Sequence, residues 1–148
     1  MKIAIATDHN GVEQKKYIID HLKQYDFIDK SPNNNPTDDY PDFAFTVSES
    51  LLNKEADLGV LMCGTGIGMS IAANKVKGIR CAHCSDVSQA HLAREHNNAN
   101  IIALSYKQNL DELIAMINEF IETSPSNEER HTRRVNKIIS YEGEHFAN

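Results

Sequence analysis

Five short apolar runs alternate with stretches of helical periodicity, and that alternation constrains the fold of this chain more than any other feature. Lys2–Thr7 mixes small and branched apolar residues and reads as a first strand. Phe27–Ile28 is a weaker second strand, Leu58–Met62 a third, Ile79–His83 a fourth and Asn100–Leu104 a fifth. Between them Val12, Ile18, Ile19 and Leu22 recur loosely at helical spacing. Tyr40, Ala44, Val47 and Leu51 do so more strictly, behind a Pro41 that suits a helix start. Ser85-Asp86 can cap a helix running towards Glu95. Leu110, Leu113, Ile114, Ile117 and Ile121 form a strong stripe, broken by Ser124-Pro125-Ser126-Asn127. Ser31–Asp39, rich in Pro, Asn and Asp, is the clearest loop. Strands alternating with helices predict an α/β domain with a five-stranded parallel sheet covered on both faces, a Rossmann-like three-layer sandwich. A last short helix around Val135, Ile138 and Ile139 belongs to a C-terminal segment, about 125–148.

A chain of 148 residues suits one domain with one core, and a hydrophobic share of 41% is that of an ordinary globular protein. No apolar run approaches a membrane span. The first apolar run meets Asp8 and His9 too soon to be a signal peptide. Three cysteines make an odd number with no framework spacing, so a reduced, cytoplasmic setting is expected. A net charge of −6 disfavours general binding to nucleic acid or to an anionic membrane. Cations gather locally only at Arg130-His131-Thr132-Arg133-Arg134.

The chemistry-bearing stretch is Leu58–Ser70. An apolar run stops at Cys63, the alternating glycines Gly64, Gly66 and Gly68 follow, and a helical segment begins. Glycines let a ligand approach backbone N–H groups, and a helix start favours the thiolate of a nearby cysteine. The loop lacks the Gly-Lys-Ser/Thr of a phosphate-binding P-loop, and its spacing and place after the third strand differ from the dinucleotide fingerprint. A tight turn with an inert buried cysteine is the bland reading; Thr65 and Ser70 beside three glycines favour an anion-stabilising loop. In parallel sheets ligands bind beyond the carboxyl ends of the strands. Asp8 and His9 follow strand one, Cys63 strand three and Lys107 strand five, and the His96-Asn97 segment is expected to join them at that edge. Taken singly, Asp8 could be a cap and His96-Asn97 a helix C-terminus. Arg130 and Arg134, four apart on a helix, project to one side as phosphate binding requires, whereas Arg133 points elsewhere. Cys81 and Cys84 face opposite sides of a strand, so they read as core residues and not as a metal clamp.

Several segments together resemble the type B ribose-5-phosphate isomerases and the wider group that includes galactose-6-phosphate isomerase subunits. They are Thr7-Asp8-His9-Asn10-Gly11, Asp39-Tyr40-Pro41, Cys63-Gly64-Thr65-Gly66-Ile67-Gly68, Ser70-Ile71-Ala72-Ala73-Asn74-Lys75, Gly78-Ile79-Arg80, His96-Asn97-Asn98-Ala99-Asn100, and Arg130-His131 with Arg134. The resemblance implies an aldose–ketose isomerase of the pentose phosphate pathway, without metal or cofactor, that interconverts ribose 5-phosphate and ribulose 5-phosphate. It implies a homodimer, or a tetramer of two dimers, with active sites between subunits. It assigns Cys63 as the base, Thr65 as a partner of the reacting oxygens, and His96 with Asp8 to ring opening. Backbone groups of Gly64, Gly66, Gly68 and Ser70 would stabilise the enediolate. Asn97 and Tyr40 would contact hydroxyls, and His9, Arg130, Arg134 and Lys107 would lie at the phosphate. Two departures stand out. Ser105-Tyr106-Lys107 replaces the usual Gly-x-Arg, and Lys30-Ser31-Pro32 replaces the usual Gly-Thr. A six-carbon sugar-phosphate isomerase and a non-catalytic sugar-phosphate sensor are the alternatives.

Overall fold

The computed structural model describes residues 1–146, with side chains to 144. The elements run β1 (Lys2–Thr7), α1 (Val12–His21), β2 (Asp26–Asp29), α2 (Tyr40–Leu52), β3 (Leu58–Cys63), α3 (Ile67–Ala73), β4 (Cys81–His83), α4 (Val87–Asn97), β5 (Ile101–Ser105), α5 (Leu110–Glu122) and α6 (Glu129–Phe146). All four strand pairings are parallel, and the order across the sheet is β2-β1-β3-β5-β4.

Side chains alternate across the sheet and divide the core in two. Ile3, Ile5, Val60, Met62, Ile102 and Leu104 pack with Ile18 and Leu22 of α1, Ala90 and Ala93 of α4, and Leu113, Met116, Ile117, Phe120 and Ile121 of α5. Ala4, Ala6, Leu61, Cys63, Ile101 and Ala103 face the other way, onto Ala44 and Val47 of α2 and Met69, Ala72 and Ala73 of α3. A sheet covered on both faces has continuously apolar central strands, and β3 is buried along its whole length. The three-layer expectation therefore holds. Cys81 lies in one cluster and Cys84 in the other, so the Cys-x-x-Cys is split across the sheet as its strand period requires.

Several boundaries differ from the sequence reading. β4 is shorter because Arg80 gives its N–H to the Asn100 side chain and not to a strand. Asp86 caps α4 by accepting from Gln89 N–H at 2.8 Å, and α4 continues through His96 and Asn97. α6 is long, is rich in Glu and Arg, and packs mainly on α4. On α1, Val12 is exposed and Lys15 takes a buried place. Its Nζ donates to Asp29 Oδ1 at 3.0 Å, to the Ser31 carbonyl at 2.7 Å and to Ser31 Oγ at 3.1 Å. That paired charge fastens the loop after β2 to the end of β1, where Ser31 Oγ accepts from Thr7 N–H.

Candidate active site

β1 and β3 are neighbours, but the chain leaves β1 for β2 on one side and returns to β3 on the other. Their carboxyl ends form the switch point where an open α/β sheet receives a ligand. Asp8 and His9 leave β1 there, and Cys63 ends β3.

Cys63 is buried, and its Sγ accepts the Gly66 N–H at 3.2 Å. The turn that makes this possible has Gly66 at φ +82°, a left-handed conformation. Thr65 is exposed, and its Oγ1 accepts from Ile67 N–H at 3.1 Å. The Ser70 N–H donates to the Gly66 carbonyl, closing the first turn of α3. Tyr40 comes close to Gly68, where an added Cβ would lie 2.6 Å from its ring and displace it. Tyr40 therefore covers the loop from the start of α2. Tyr106, after β5, lies over Gly11 and near Gly64. Burial first, and then the charge of Asp8, push its phenol upwards, with Cys63 adding to the effect and Asn10 opposing it. Lys107 follows on the same edge.

His9 is held from the loop before α2. Asp38 Oδ1 lies 2.7 Å from His9 Nδ1 and accepts the His9 N–H at 3.1 Å. Asn34 donates to both the Thr7 carbonyl and Asp38 Oδ2. Burial works against the Asp38 charge, but hydrogen bonds from Asn34, His9 and Asn35 outweigh it and hold the carboxyl below its ordinary range.

His96 and Asn97 do not join this edge within the chain, which corrects the sequence expectation. α4 starts at the carboxyl end of β4 and runs back, and β5 begins at Ile101, opposite Gly59, whereas Cys63 is opposite Ser105. Four strand steps, about 13 Å, separate those two levels of the sheet. The same amino edge holds a second cluster. His131 of α6 is buried and stacks on His96, with ring centroids 4.1 Å apart and planes 12° apart. Burial, and then His96 and Arg130, push the His131 imidazolium down. Glu95 stands 3.3 Å from His96 Nε2 and 2.6 Å from His91 Nε2, while Glu119 takes His91 Nδ1 at 2.7 Å. Arg80 donates to the Asn97 and Asn98 carbonyls and fixes the end of α4. Arg130, on the first turn of α6, is exposed and bonds Glu128, while Arg133 pairs with Glu129. Arg134, exposed, lies one turn on from Arg130. A cleft of about 140 Å³ lies between α4 and α6, lined by Glu95, His96 and His131 among others.

The sequence-predicted residues thus form two groups. Asp8, His9, Tyr40, Cys63 to Ser70 and Lys107 stand at the carboxyl edge. His96, Asn97, Arg130 and Arg134 stand at the other. Sequence reasoning missed Asp38, which left no local signal, and gave no role to His131. The spacing of His131 and Val135, both buried, could have flagged the latter as an inward position. Among the described residues, no group of three or more His, Cys, Asp or Glu is placed to hold a metal ion, and no helix is long and apolar enough to cross a membrane.

Residues 3–138 match the model of the Ribose/Galactose Isomerase family. The chain is 38% identical over 151 residues to the ribose-5-phosphate isomerase B of Mycobacterium tuberculosis, covering 99% of this chain and 93% of that one. The structure is similar to that of Clostridium thermocellum ribose-5-phosphate isomerase B, with a TM-score of 0.91 and 42% identity over 97% of this chain and 99% of that one. It is also similar to Mycoplasma genitalium ribose-5-phosphate isomerase B with bound ribulose-5-phosphate, with a TM-score of 0.89 and 44% identity over 97% of each chain. With the strand-end cysteine, the glycine loop and this near-complete overlap together, the chain belongs to the ribose/galactose isomerase family.

Proposed function

We propose that this protein is a cytoplasmic aldose–ketose isomerase that interconverts ribose 5-phosphate and ribulose 5-phosphate, with Cys63 as the base. The observation that carries the reading is the sulfur of Cys63 at the switch point of the sheet, held by the Gly66 N–H inside the glycine loop. The bound ribulose-5-phosphate of the Mycoplasma genitalium relative supports the substrate class.

The reaction moves a proton from C2 of the open-chain aldose to C1. The Cys63 thiolate takes the C2 proton, leaving an enediolate whose charge falls to the loop N–H groups other than those of Gly66, Ile67 and Ser70, which are already given to Cys63 Sγ, Thr65 Oγ1 and the Gly66 carbonyl. The Thr65 hydroxyl passes the O2 proton to O1, and the Cys63 thiol returns its proton to C1. Ring opening comes first. His96 transfers the proton at the ring oxygen, and Asp8 draws on the anomeric hydroxyl. Asn97 and Tyr40 orient sugar hydroxyls. His9, Arg130, Arg134 and Lys107 bind the phosphate.

Such a site needs both groups of residues around one sugar, and their separation across the sheet supports a homodimer in which a second copy supplies His96, Asn97, Arg130 and Arg134. The exposed Ile67 and Ile71 of α3 and Ile138 and Tyr141 of α6 offer apolar surface for that association. Two such dimers would make a tetramer.

Purified protein given ribose 5-phosphate in the presence of a chelator should form the ketose; no turnover would reject the assignment. Mixing Cys63→Ala with His96→Ala subunits, each inactive alone, should restore about a quarter of the activity, because half the dimers are mixed and each of those has one intact site. No restoration would reject the shared site. Lys107 carries the charge of the usual arginine without its fork, which favours testing longer sugars. Kinetics on ribose 5-phosphate beside allose and galactose 6-phosphates decide between five and six carbons.

A further inference from the structure

His83 is the last residue of β4, and the alternation of that strand aims it the same way as Cys81, towards the layer that holds the glycine loop. Its ring lies against Gly66, where an added Cβ would stand 2.9 Å from His83 Cδ2. Its Nε2 is 2.9 Å from the Thr65 carbonyl oxygen. A carbonyl only accepts, so Nε2 carries the hydrogen and donates it. The Thr65 carbonyl and the Gly66 N–H belong to one peptide group, and that N–H is the one given to Cys63 Sγ.

We propose that His83 is a positioning residue for Cys63: by donating to the Thr65 carbonyl it fixes and polarises the Thr65–Gly66 peptide, and so strengthens the hydrogen bond that Gly66 gives to the sulfur. Hydrogen bonds in series polarise one another, and an amide whose oxygen accepts a bond is a better donor at its nitrogen. A positively charged imidazole would do this more strongly than a neutral one. Tyr106, beyond β5, feels the charges of both Asp8 and Cys63. Next to His83 on its own segment are Cys84 and, at the cap of α4, Asp86. The role of the sulfur as a base rests on the proposed function; the link from His83 to the sulfur does not.

The test compares wild type, His83→Phe and His83→Gln. Phenylalanine keeps the ring and loses the N–H, whereas the glutamine amide can restore a donor at the place of Nε2. Cys63 alkylation by iodoacetamide is followed by peptide mass from about pH 6 to about pH 9. Burial pushes the Cys81 thiol up to about 12 and the Cys84 thiol up to about 11, which keeps both out of the reaction. With His83→Phe the rate–pH curve should move to higher pH, with the rate near neutrality down roughly five-fold, the size of one ordinary hydrogen bond. With His83→Gln the rate should lie within about two-fold of wild type. Turnover of ribose 5-phosphate should show the same loss in kcat with KM unchanged. A wild-type curve for His83→Phe, or equal losses in both variants, overturns the proposal. A measurement on the unaltered protein serves if His83→Phe does not fold. The Gly66 amide proton shift should titrate with the same midpoint as the His83 ring protons, and a Gly66 shift that ignores the His83 titration also overturns it. Absence of turnover in wild type rejects the isomerase reading alone, since the alkylation and amide-shift results decide the role of His83 without it.

Discussion

Gly66→Ala is the sharpest test of how the loop is built. Gly66 has φ +82°, where a side-chain-bearing residue costs about 1–2 kcal/mol. The new Cβ would also stand 2.9 Å from the backbone carbonyl carbon of Leu104 and 2.9 Å from His83 Cδ2. The His83 ring can swing away, but Leu104 lies in β5, paired to strands on both sides, and cannot. The loop must therefore move, adding about 1 kcal/mol of overpacking strain. Together these give about 2–3 kcal/mol, which for a domain of this size lowers Tm by roughly 5–10 °C. Movement of Gly66 takes its N–H away from Cys63 Sγ, now 3.2 Å distant. A hydrogen bond to a charged group is worth about 1.5–3 kcal/mol, so kcat should fall about 10- to 150-fold. Gly64→Ala is the control: its Cβ would meet the Tyr106 hydroxyl at 3.6 Å, an ordinary contact, so Tm should stay within about 2 °C. Thermal unfolding and initial rates measure both variants. A Gly66→Ala protein with wild-type Tm and a kcat within about three-fold of wild type would show that the loop does not depend on glycine at this position.

Cys63→Ala should cost about 10²- to 10⁴-fold in kcat while binding of ribose 5-phosphate, read by calorimetry, persists; lost binding with residual turnover would contradict its role as base. Asp38→Ala releases the His9 ring and should raise KM about five- to ten-fold with little change in kcat; an unchanged KM would remove His9 from phosphate binding. For His91, the hydrogen bonds its ring donates to Glu119 and then to Glu95 raise the folded-state value above the unfolded one. The stabilisation is therefore fully present below the unfolded value, near pH 6.5, and is lost as pH rises through the folded value. His91→Gln should thus lower the urea midpoint near pH 6 and lose that effect near pH 9; a deficit that grows with pH would invert the assignment.

Much of this architecture is legible in the chain because it follows from local periodicity. The apolar run Leu58–Met62 must be buried on both faces, and the α5 stripe from Leu110 to Ile121 must meet a sheet, whatever lies around them. The strand-end rule found Asp8, His9 and Cys63 because it needs only strand direction. The same rule failed for His96. Its distance from Cys63 depends on α4 running on to Asn97 before β5 starts, a matter of where a helix stops and which end of the sheet that reaches. Nor does any local pattern announce that Lys15 pairs with Asp29, that Asp38 holds His9, or that His83 reaches the Thr65 carbonyl. Those contacts join residues between 14 and 29 positions apart.

The parallel three-layer fold, the cysteine followed by a glycine loop, and the family are all written in the order and spacing of residues along the chain. Periodicity, glycine spacing and residue order are local properties that burial and backbone geometry convert directly into structure. That the candidate site residues fall into two groups at opposite ends of the sheet, and which neighbours hold each of them, emerges from the folded arrangement alone. Those relations depend on strand order and helix direction, which bring residues distant in the chain together or hold them apart.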